Sequence, residues 1–327
     1  MNNHDIIVIG ASAGGIETIS RLLSQLPGNL PATVFIVQHL SASSPGTLAD
    51  IFDRVGPLPV ETAKHGDAFM PGRVYVAPPD RHLLVKQGHL HVAMGPKENR
   101  SRPAIDPLFR SAAASYGPRV IGVVLSGLLD DGASGLLAIR RCNGTTVVQD
   151  PADAFNPEMP ENALAVINPD HCIAIAAMGE LLVRLTYQPA KPAVPIPEDI
   201  QLEIKIAEQI MSDVPAENTL GNLVSLSCPE CGGPLWELDD KTIGRYRCHI
   251  GHGFTRQALL EEQNDAIERT LWIALRSLEE KAKLQTLLAR QAHARTRPST
   301  AERFERQAEE SRHHVEQLRQ LLKRMPL

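Results

Sequence analysis

The sequence predicts an α/β fold for residues 1–190: a doubly wound, mostly parallel sheet with helices on both faces. Short apolar runs rich in β-branched residues recur in this part, as expected for strands buried on both faces. Between them lie segments with apolar residues at helical spacing. Strands that alternate with helices imply parallel pairing through helical crossovers. A cysteine cluster and a charged helical region follow, which predict a small zinc ribbon and a C-terminal helical hairpin.

The elements of the α/β part can be placed by pattern. Strong strands are predicted at 5–10, 33–37 and 120–125, and shorter ones at 60–62, 73–77, 83–85, 90–92, 145–149 and 172–175. Helices are predicted at 14–26, 45–55, 105–116, 134–141 and 159–167.

Composition changes after this part and divides the rest of the chain. A stiff linker is predicted at 191–220, because four prolines lie between Gln188 and Glu198. The cysteine module is placed at 221–255 and the helical hairpin at 256–327, with its turn near Pro298. Apolar or small residues at spacings of three and four form a seam on each hairpin helix: Ile267, Leu271, Leu275, Leu278 and Ala282 on the first, and Phe304, Ala308, Ser311, Val315, Leu318 and Leu322 on the second.

Charge and composition exclude several classes of protein. The net charge of −5 argues against a nucleic-acid partner, which requires a basic surface. No run of about 20 apolar residues is present, so no membrane insertion is expected. The start of the chain has no signal-peptide pattern, which predicts a cytoplasmic location.

The first strand runs into Gly10-Ala11-Ser12-Ala13-Gly14, a G-x-S-x-G motif between a predicted strand and a predicted helix. Small residues let a serine stand on such a sharp turn, exposed at the carboxyl edge of the sheet. The N–H of Ala13, near the helix N-terminus, is a candidate oxyanion donor. The alternative is a phosphate-binding glycine turn, but the G-x-G-x-x-G spacing is missing.

Two further strand ends supply partners for this serine. His39 follows the second strand and is the best candidate for the base, although a lone histidine is more often structural. The strand at 120–125 leads to Asp130 and Asp131, either of which could orient the imidazole. Parallel strands place their carboxyl ends at one edge of a sheet, so these side chains are expected to meet.

Several collinear segments together resemble the catalytic domain of the chemotaxis protein-glutamate methylesterases, the CheB type. They span about residues 5–185: Ile9–Gly15, Val37–Leu40, Tyr75–His82, Asn99–Phe109, Gly122–Gly127 continuing into Asp131–Ala133, and Met159–Ala163. The resemblance implies a catalytic triad of Ser12, His39 and Asp131. It also implies hydrolysis of glutamate γ-methyl esters with release of methanol, deamidation of certain glutamines, and no cofactor for catalysis.

The resemblance further implies a methyl-accepting chemotaxis receptor, or a related signalling protein, as partner. Arg100 and Arg102 are candidate substrate-binding residues for its acidic helices. Two departures stand out. Leu129 occupies a position where the family usually has glycine, which predicts a different shape for that turn. The chain also begins at the catalytic strand, so control by the family's usual N-terminal receiver domain is not expected.

Two other functions compete with this one. A non-catalytic adaptor would bind receptor helices without hydrolysing anything. A general α/β-hydrolase esterase would carry its triad in the order serine, aspartate, histidine, whereas histidine precedes aspartate here.

The cysteine module contains a Cys228-x-x-Cys231 knuckle and a second half around Cys248. We predict a closed structural Zn²⁺ site made by Cys228, Cys231, Cys248 and His252, with His249 as the alternative fourth ligand. A redox pair is the competing interpretation, but such pairs stand at strand–helix junctions. Cys142 and Cys172 are expected to be buried thiols. The C-terminal helices are candidates for self-association.

Overall fold

A computed structural model describes residues 3–208, 221–238 and 243–324 of the chain. The chain forms two compact units, Met1–Leu259 and Leu260–Leu327. The cysteine module therefore belongs to the same compact unit as the α/β part.

The first unit is organised around a seven-stranded sheet with the order β3-β4-β2-β1-β7-β8-β9, in which every pair of neighbours is parallel. This confirms the predicted fold class. Its strands are β1 Ile6–Ala11, β2 Thr33–Gln38, β3 Val60–Thr62, β4 Val74–Val76, β7 Val120–Val124, β8 Thr145–Gln149 and β9 His171–Ile173. The first unit also has an antiparallel hairpin made by β5 His82–Lys86 and β6 His89–Ala93.

Helices cover both faces of the sheet. In the first unit they are α1 Gly15–Leu23, α2 Leu48–Asp53, α3 Ile105–Tyr116, α4 Ala133–Arg141, α5 Glu158–Val166, α6 Ile175–Thr186 and α7 Glu198–Ala207. Apolar side chains of α1, α2 and α6 form the core on one face, and those of α3, α4, α5 and α7 form the core on the other. The strands between these cores are buried on both sides, as their continuous apolar runs predict.

The segment predicted as a linker contains α7, which the sequence analysis missed. Ile200 and Ile204 of this helix are buried in the core beneath α3. The prolines that suggested an extended chain precede the helix and end at Pro197, where a proline is compatible with a helix start. The rest of the predicted linker, residues 209–220, lies outside the described residues.

The cysteine module is an antiparallel sheet of β10 Asn222–Ser227, β11 Pro234–Glu237, β12 Arg245–Cys248 and β13 Gly253–Thr255. Its buried centre includes Leu235 and Phe254. This agrees with the predicted small ribbon. Elsewhere in the first unit Cys142 is buried as expected, whereas Cys172 is exposed, because it lies on the edge strand β9.

The C-terminal helices are α8 Arg256–Ala294 and α9 Pro298–Arg324, and the turn between them lies at the predicted position. Within the second unit they run antiparallel, with hydrogen bonds from Ser311 to Gln285 and between His293 and Glu305. Leu275, Ala282, Ala308, Ser311 and Val315 of the predicted seams are buried. Ile267 is 52% exposed, so its place in the first seam was predicted wrongly.

Within the part of the chain that the structure describes, no helix combines the length and the apolar character needed to cross a membrane.

Candidate active site

Ser12, His39 and Asp131 each follow a strand of the parallel sheet, and the three strands are neighbours. Ser12 comes directly after β1, and its N–H donates to the carbonyl of Ser126 beyond β7 (2.9 Å). The N–H of His39, directly after β2, donates to the carbonyl of Ala11 (3.0 Å). Pairing of β2 with β1, and of β1 with β7, therefore brings the three segments together at the carboxyl edge of the sheet.

The three side chains form a continuous chain of hydrogen bonds. The Nδ1 atom of His39 lies 3.2 Å from Oγ of Ser12, and its Nε2 atom lies 2.7 Å from Oδ2 of Asp131. In a neutral imidazole that donates from Nε2 to the carboxylate, Nδ1 is left as the acceptor for the serine hydroxyl. The geometry thus matches a nucleophile, its base and the carboxylate that orients the base.

Backbone and side-chain donors hold the carboxylate of Asp131 in place. The N–H of Ile105 donates to Oδ2 (2.6 Å), while the amide of Asn99 (3.0 Å) and the N–H of Asp106 (3.2 Å) donate to Oδ1. Burial alone would raise the pKa of Asp131, but hydrogen bonding and attraction from His39, with the donors from Ile105 and Asn99, lower the pKa below its ordinary value. This aspartate is therefore held as the anion that a protonated imidazole needs.

Asp106 is a second buried carboxyl group beside Asp131. Burial, followed by repulsion from Asp131, raises the pKa of Asp106. Its Oδ1 atom accepts from the N–H groups of Gly132 (3.0 Å) and Gly135 (2.6 Å), at the start of α4. Asp106 thus connects α3 to the turn that bears Asp131.

The serine turn is fixed by side chains from neighbouring strands. The Gln38 amide donates to the carbonyl of Ser12 (2.8 Å), and the hydroxyl of Ser126 donates to the carbonyl of Ala13 (2.7 Å). Gly14 has a φ of 74°, the left-handed region that favours glycine. A Cβ at Gly15 would lie 2.1 Å from Oε1 of Gln38, so a larger residue there would displace this support. These contacts give a physical reason for the small residues of the motif.

A family model described as CheB methylesterase matches residues 7–182, more than half of the 327 residues. The chain belongs to the CheB methylesterase family. This membership confirms both the family predicted from the sequence and the enzyme class, a methylesterase.

Known relatives agree with this assignment. A Leptospira interrogans protein assigned as a protein-glutamate methylesterase/protein-glutamine glutaminase is 38% identical over 184 residues, covering 56% of this chain and 95% of the relative. Protein-glutamate methylesterase/protein-glutamine glutaminase 5 of Anaeromyxobacter dehalogenans is also 38% identical, but this chain spans only 51% of its length. The crystal structure of the Thermotoga maritima CheB methylesterase catalytic domain superposes with a TM-score of 0.54 at 30% identity, covering 57% of this chain and 99% of that one.

Leu129 adopts the backbone conformation that the predicted glycine at this position would favour. Leu129 has a φ of 61°, a conformation that costs a branched side chain about 1 kcal/mol or more relative to glycine. The carbonyl of Leu129 accepts from the side-chain amide of Asn162 (2.8 Å), which holds the turn in this conformation. The backbone at Leu129 is thus in the region that glycine favours, at a position where the resemblance to the family predicts glycine.

The two candidate substrate-binding arginines lie in the segment before α3. Arg102 bonds to Asp80 through Nε (2.8 Å) and Nη2 (2.7 Å), and its Nη1 donates to the carbonyl of Gly95 (2.8 Å). Arg100 is half-buried with a φ of 68°. Arg102 thus has a bonding role within the fold, and binding of substrate by either arginine stays a prediction.

The four predicted metal ligands come together in the ribbon. The ligand atoms of Cys228, Cys231, Cys248 and His252 all lie within 4.8 Å of one another. The Sγ atoms of Cys231 and Cys248 are 3.7 Å apart, and Nδ1 of His252 lies 3.6 Å from Sγ of Cys248 and 3.7 Å from Sγ of Cys228. Tetrahedral zinc with Zn–S bonds of about 2.3 Å needs ligands about 3.8 Å apart, so the arrangement fits this metal.

Sequence reasoning did not assign roles to several residues of the site. Asn99 and Asp106 lie within a segment that resembles the CheB family. The resemblance indicated that this segment matters, but it did not predict what these two side chains bind. Gln38 and Ser126 also lie within such segments, whereas Thr255 does not. All three act through contacts with distant parts of the chain, which no local pattern predicts.

Proposed function

We propose that this protein hydrolyses γ-methyl esters of glutamate side chains and deamidates particular glutamines, using Ser12, His39 and Asp131 as its catalytic triad. The observation that supports it most is the continuous hydrogen-bonded chain from the serine hydroxyl to the buried carboxylate. The Leptospira and Anaeromyxobacter relatives are named for both of these activities.

In the proposed reaction, Nδ1 of His39 takes the hydroxyl proton of Ser12 as the oxygen attacks the ester carbonyl. The imidazolium that forms is stabilised by the anionic carboxylate of Asp131. It then returns the proton to the departing methanol, and water releases the glutamate in a second, equivalent step. These three side chains provide nucleophile, base and counter-charge, so the reaction needs no cofactor.

The developing oxyanion needs donors near Ser12. We assign this role to the N–H of Ala13, which lies in the turn just before α1. The positive end of the helix dipole at Gly15 adds a favourable field.

A methyl-accepting receptor, or a related signalling protein, is the proposed partner. Arg100 and Arg102 lie in the segment before α3 and would attract the acidic helices of this partner, with Arg102 kept in position by Asp80.

Self-association is proposed for the C-terminal helices, on which Trp272, Ile273 and Leu287 are more than half exposed.

The four-ligand cluster of the ribbon is proposed to hold a structural Zn²⁺. Its donor set of three thiolates and one imidazole is closed, with no position left for a substrate or water. Bound there, the metal would fix two turns of the ribbon.

Ser12→Ala removes the proposed nucleophile and is expected to lower methanol release from a methylated receptor fragment by about a thousandfold or more. Release of methanol is measured directly, and labelling by a fluorophosphonate probe is measured in parallel. Ser43→Ala, which changes an exposed serine, is the matched control and should behave as wild type.

A non-catalytic adaptor is the competing function. It would leave Ser12 unlabelled by the probe and would release no methanol even from the wild-type protein. The proposal would be contradicted if Ser12→Ala turned over substrate like wild type, or if the wild type neither reacted with the probe nor released methanol.

A further inference from the structure

The ribbon contacts the α/β part of the first unit next to the catalytic aspartate. The N–H of Asn99 donates to the carbonyl of Gly253 (2.9 Å), and the N–H of Gly253 donates to the carbonyl of Lys97 (3.2 Å). Glu98 and Gly253 thus form an isolated parallel β-bridge between this segment and β13. The segment that bears Asn99 is therefore held by the backbone of the ribbon.

Thr255 of β13 determines which end of the Asn99 amide faces the active site. Its N–H donates to Oδ1 of Asn99 (3.1 Å), so the amide nitrogen must point the other way. That nitrogen donates to Oδ1 of Asp131 and Oδ2 of Asp106, both at 3.0 Å. The orientation of a donor to the catalytic carboxylate thus depends on a residue of the ribbon.

The hydroxyl of Thr255 holds the residue before Asp131 as well. It donates to Oδ1 of Asp130 (2.7 Å), and Thr255 is only 1% exposed. Thr255 is therefore hydrogen-bonded directly to Asp130 and, through Asn99, to Asp131.

A buried charge network joins the ribbon firmly to this surface. Arg247 of β12 lies 3.2 Å from Glu98 and 3.1 Å from Glu203, and Arg245 bonds to Glu203 at 2.7 Å. Arg110 of α3 completes the network with contacts to Glu98 (2.5 Å) and Glu203 (3.3 Å). Removing one partner of such a network leaves another charge buried without compensation, so the arrangement resists separation.

We propose that the ribbon is a supporting part of the active site, in which Thr255 and Asn99 are positioning residues that fix the carboxylate of Asp131 against His39. The inference rests on the proposed function, because it assigns a task to that triad. Gly253 and Thr255 follow His252 closely in the chain, so one short segment contains both a proposed metal ligand and the residue that contacts the turn bearing Asp131. Loss of the metal would thereby loosen a contact to the triad.

The test compares Thr255→Val with Thr255→Ser in the full chain. Valine fills the same space but removes the hydroxyl, which donates to Asp130 and accepts from the N–H of Ala258 in the first turn of α8, whereas serine retains both bonds. We expect Thr255→Val to lower kcat for methanol release by about tenfold to a hundredfold with KM within twofold of wild type, and Thr255→Ser to recover most of the loss. Thr186→Val, a buried hydroxyl of α6 that donates only to a backbone carbonyl, is the matched control.

Zinc content and far-UV circular dichroism show whether each variant is folded. Should Thr255→Val fail to fold, Asn99→Ala tests the other route from Thr255 to the triad, because it removes the amide that accepts from the Thr255 N–H and donates to Asp131. We expect a fall in kcat at unchanged KM for this variant as well. Folded, zinc-containing variants with wild-type kcat would overturn the inference. Failure of the proposed function is distinct, because wild-type protein would then release no methanol.

Discussion

Three neighbouring carboxyl groups, Asp106, Asp130 and Asp131, lie in different electrostatic surroundings although all are buried. Asp131 receives donors from His39, the backbone and Asn99, which favour its anion. Burial dominates at the other two, raising the pKa of Asp130 to about 6 and the pKa of Asp106 in the same direction. The site thus concentrates negative charge on the one carboxylate that faces the imidazole.

Asp130→Asn is expected to change the dependence of stability on pH. The folded protein binds the Asp130 proton more tightly than the unfolded chain does, since its pKa of about 6 exceeds the ordinary value of 3.8. Stability from this proton is fully present below pH 4 and is lost as the pH rises through 6. Asparagine has no such proton to lose and retains an oxygen acceptor for Thr255.

We therefore expect Asp130→Asn to match wild type near pH 4 and to exceed it at pH 7.5, by up to about 3 kcal/mol. Thermal unfolding midpoints at the two pH values provide the measurement, with exposed Asp67→Asn as the control. A difference from wild type that is equal at both pH values would contradict this explanation.

At the scale of elements, α7 connects the α/β part to the ribbon within the first unit. Its apolar side contributes Ile200 and Ile204 to the core, while Glu203 bonds to Arg245 and Arg247 of the ribbon and approaches Arg110 of α3. One helix thus takes part in both an apolar and an ionic contact. The prolines before α7 predicted an extended linker, so the sequence pattern did not predict this helix or its contacts.

Glu203→Gln is expected to destabilise the first unit by about 3–5 kcal/mol, because three buried arginines lose a shared negative partner. Unfolding in urea is followed by fluorescence of Trp236, which packs against Ile206 of α7, in a Trp272→Phe background. Glu198→Gln changes an exposed glutamate of the same helix and should leave the midpoint unchanged. An equal midpoint for Glu203→Gln and Glu198→Gln would show that the network contributes little.

At the scale of the whole molecule, one compact unit contains both the parallel sheet and the ribbon, and the helical hairpin forms most of the other. The ribbon's own apolar core is small, with Leu235, Tyr246, Phe254 and Leu259 as its main members besides the cysteines. A module of this size usually depends on a metal for its stability. The four proposed ligands lie beside that core.

Removing zinc is expected to unfold the ribbon and to expose Trp236, which is 6% exposed in the folded protein. Its emission in the Trp272→Phe background should shift to longer wavelength on chelation and return when Zn²⁺ is added back. Protein purified without chelator should contain about one zinc per chain. Absence of zinc from such protein, together with an unchanged spectrum on chelation, would rule out the structural metal.

By itself the sequence determined the parallel sheet, the serine motif, the four side chains that cluster in the ribbon and the presence of two C-terminal helices. Each of these depends on local periodicity or on short spacings, which a linear pattern records. The resemblance to the CheB family distinguished Asp131 from Asp130, which the residues alone left open.

Only the tertiary structure decided how β13 meets the catalytic turn, why Thr255 matters to Asp131, and where α7 packs. Residues 99 and 255 are far apart in sequence, and the hydrogen bond between them lies at a contact where a buried charge network also joins the ribbon to the α/β part. Contacts of this kind arise from three-dimensional packing of separate elements, whose free energy no single stretch of sequence contains.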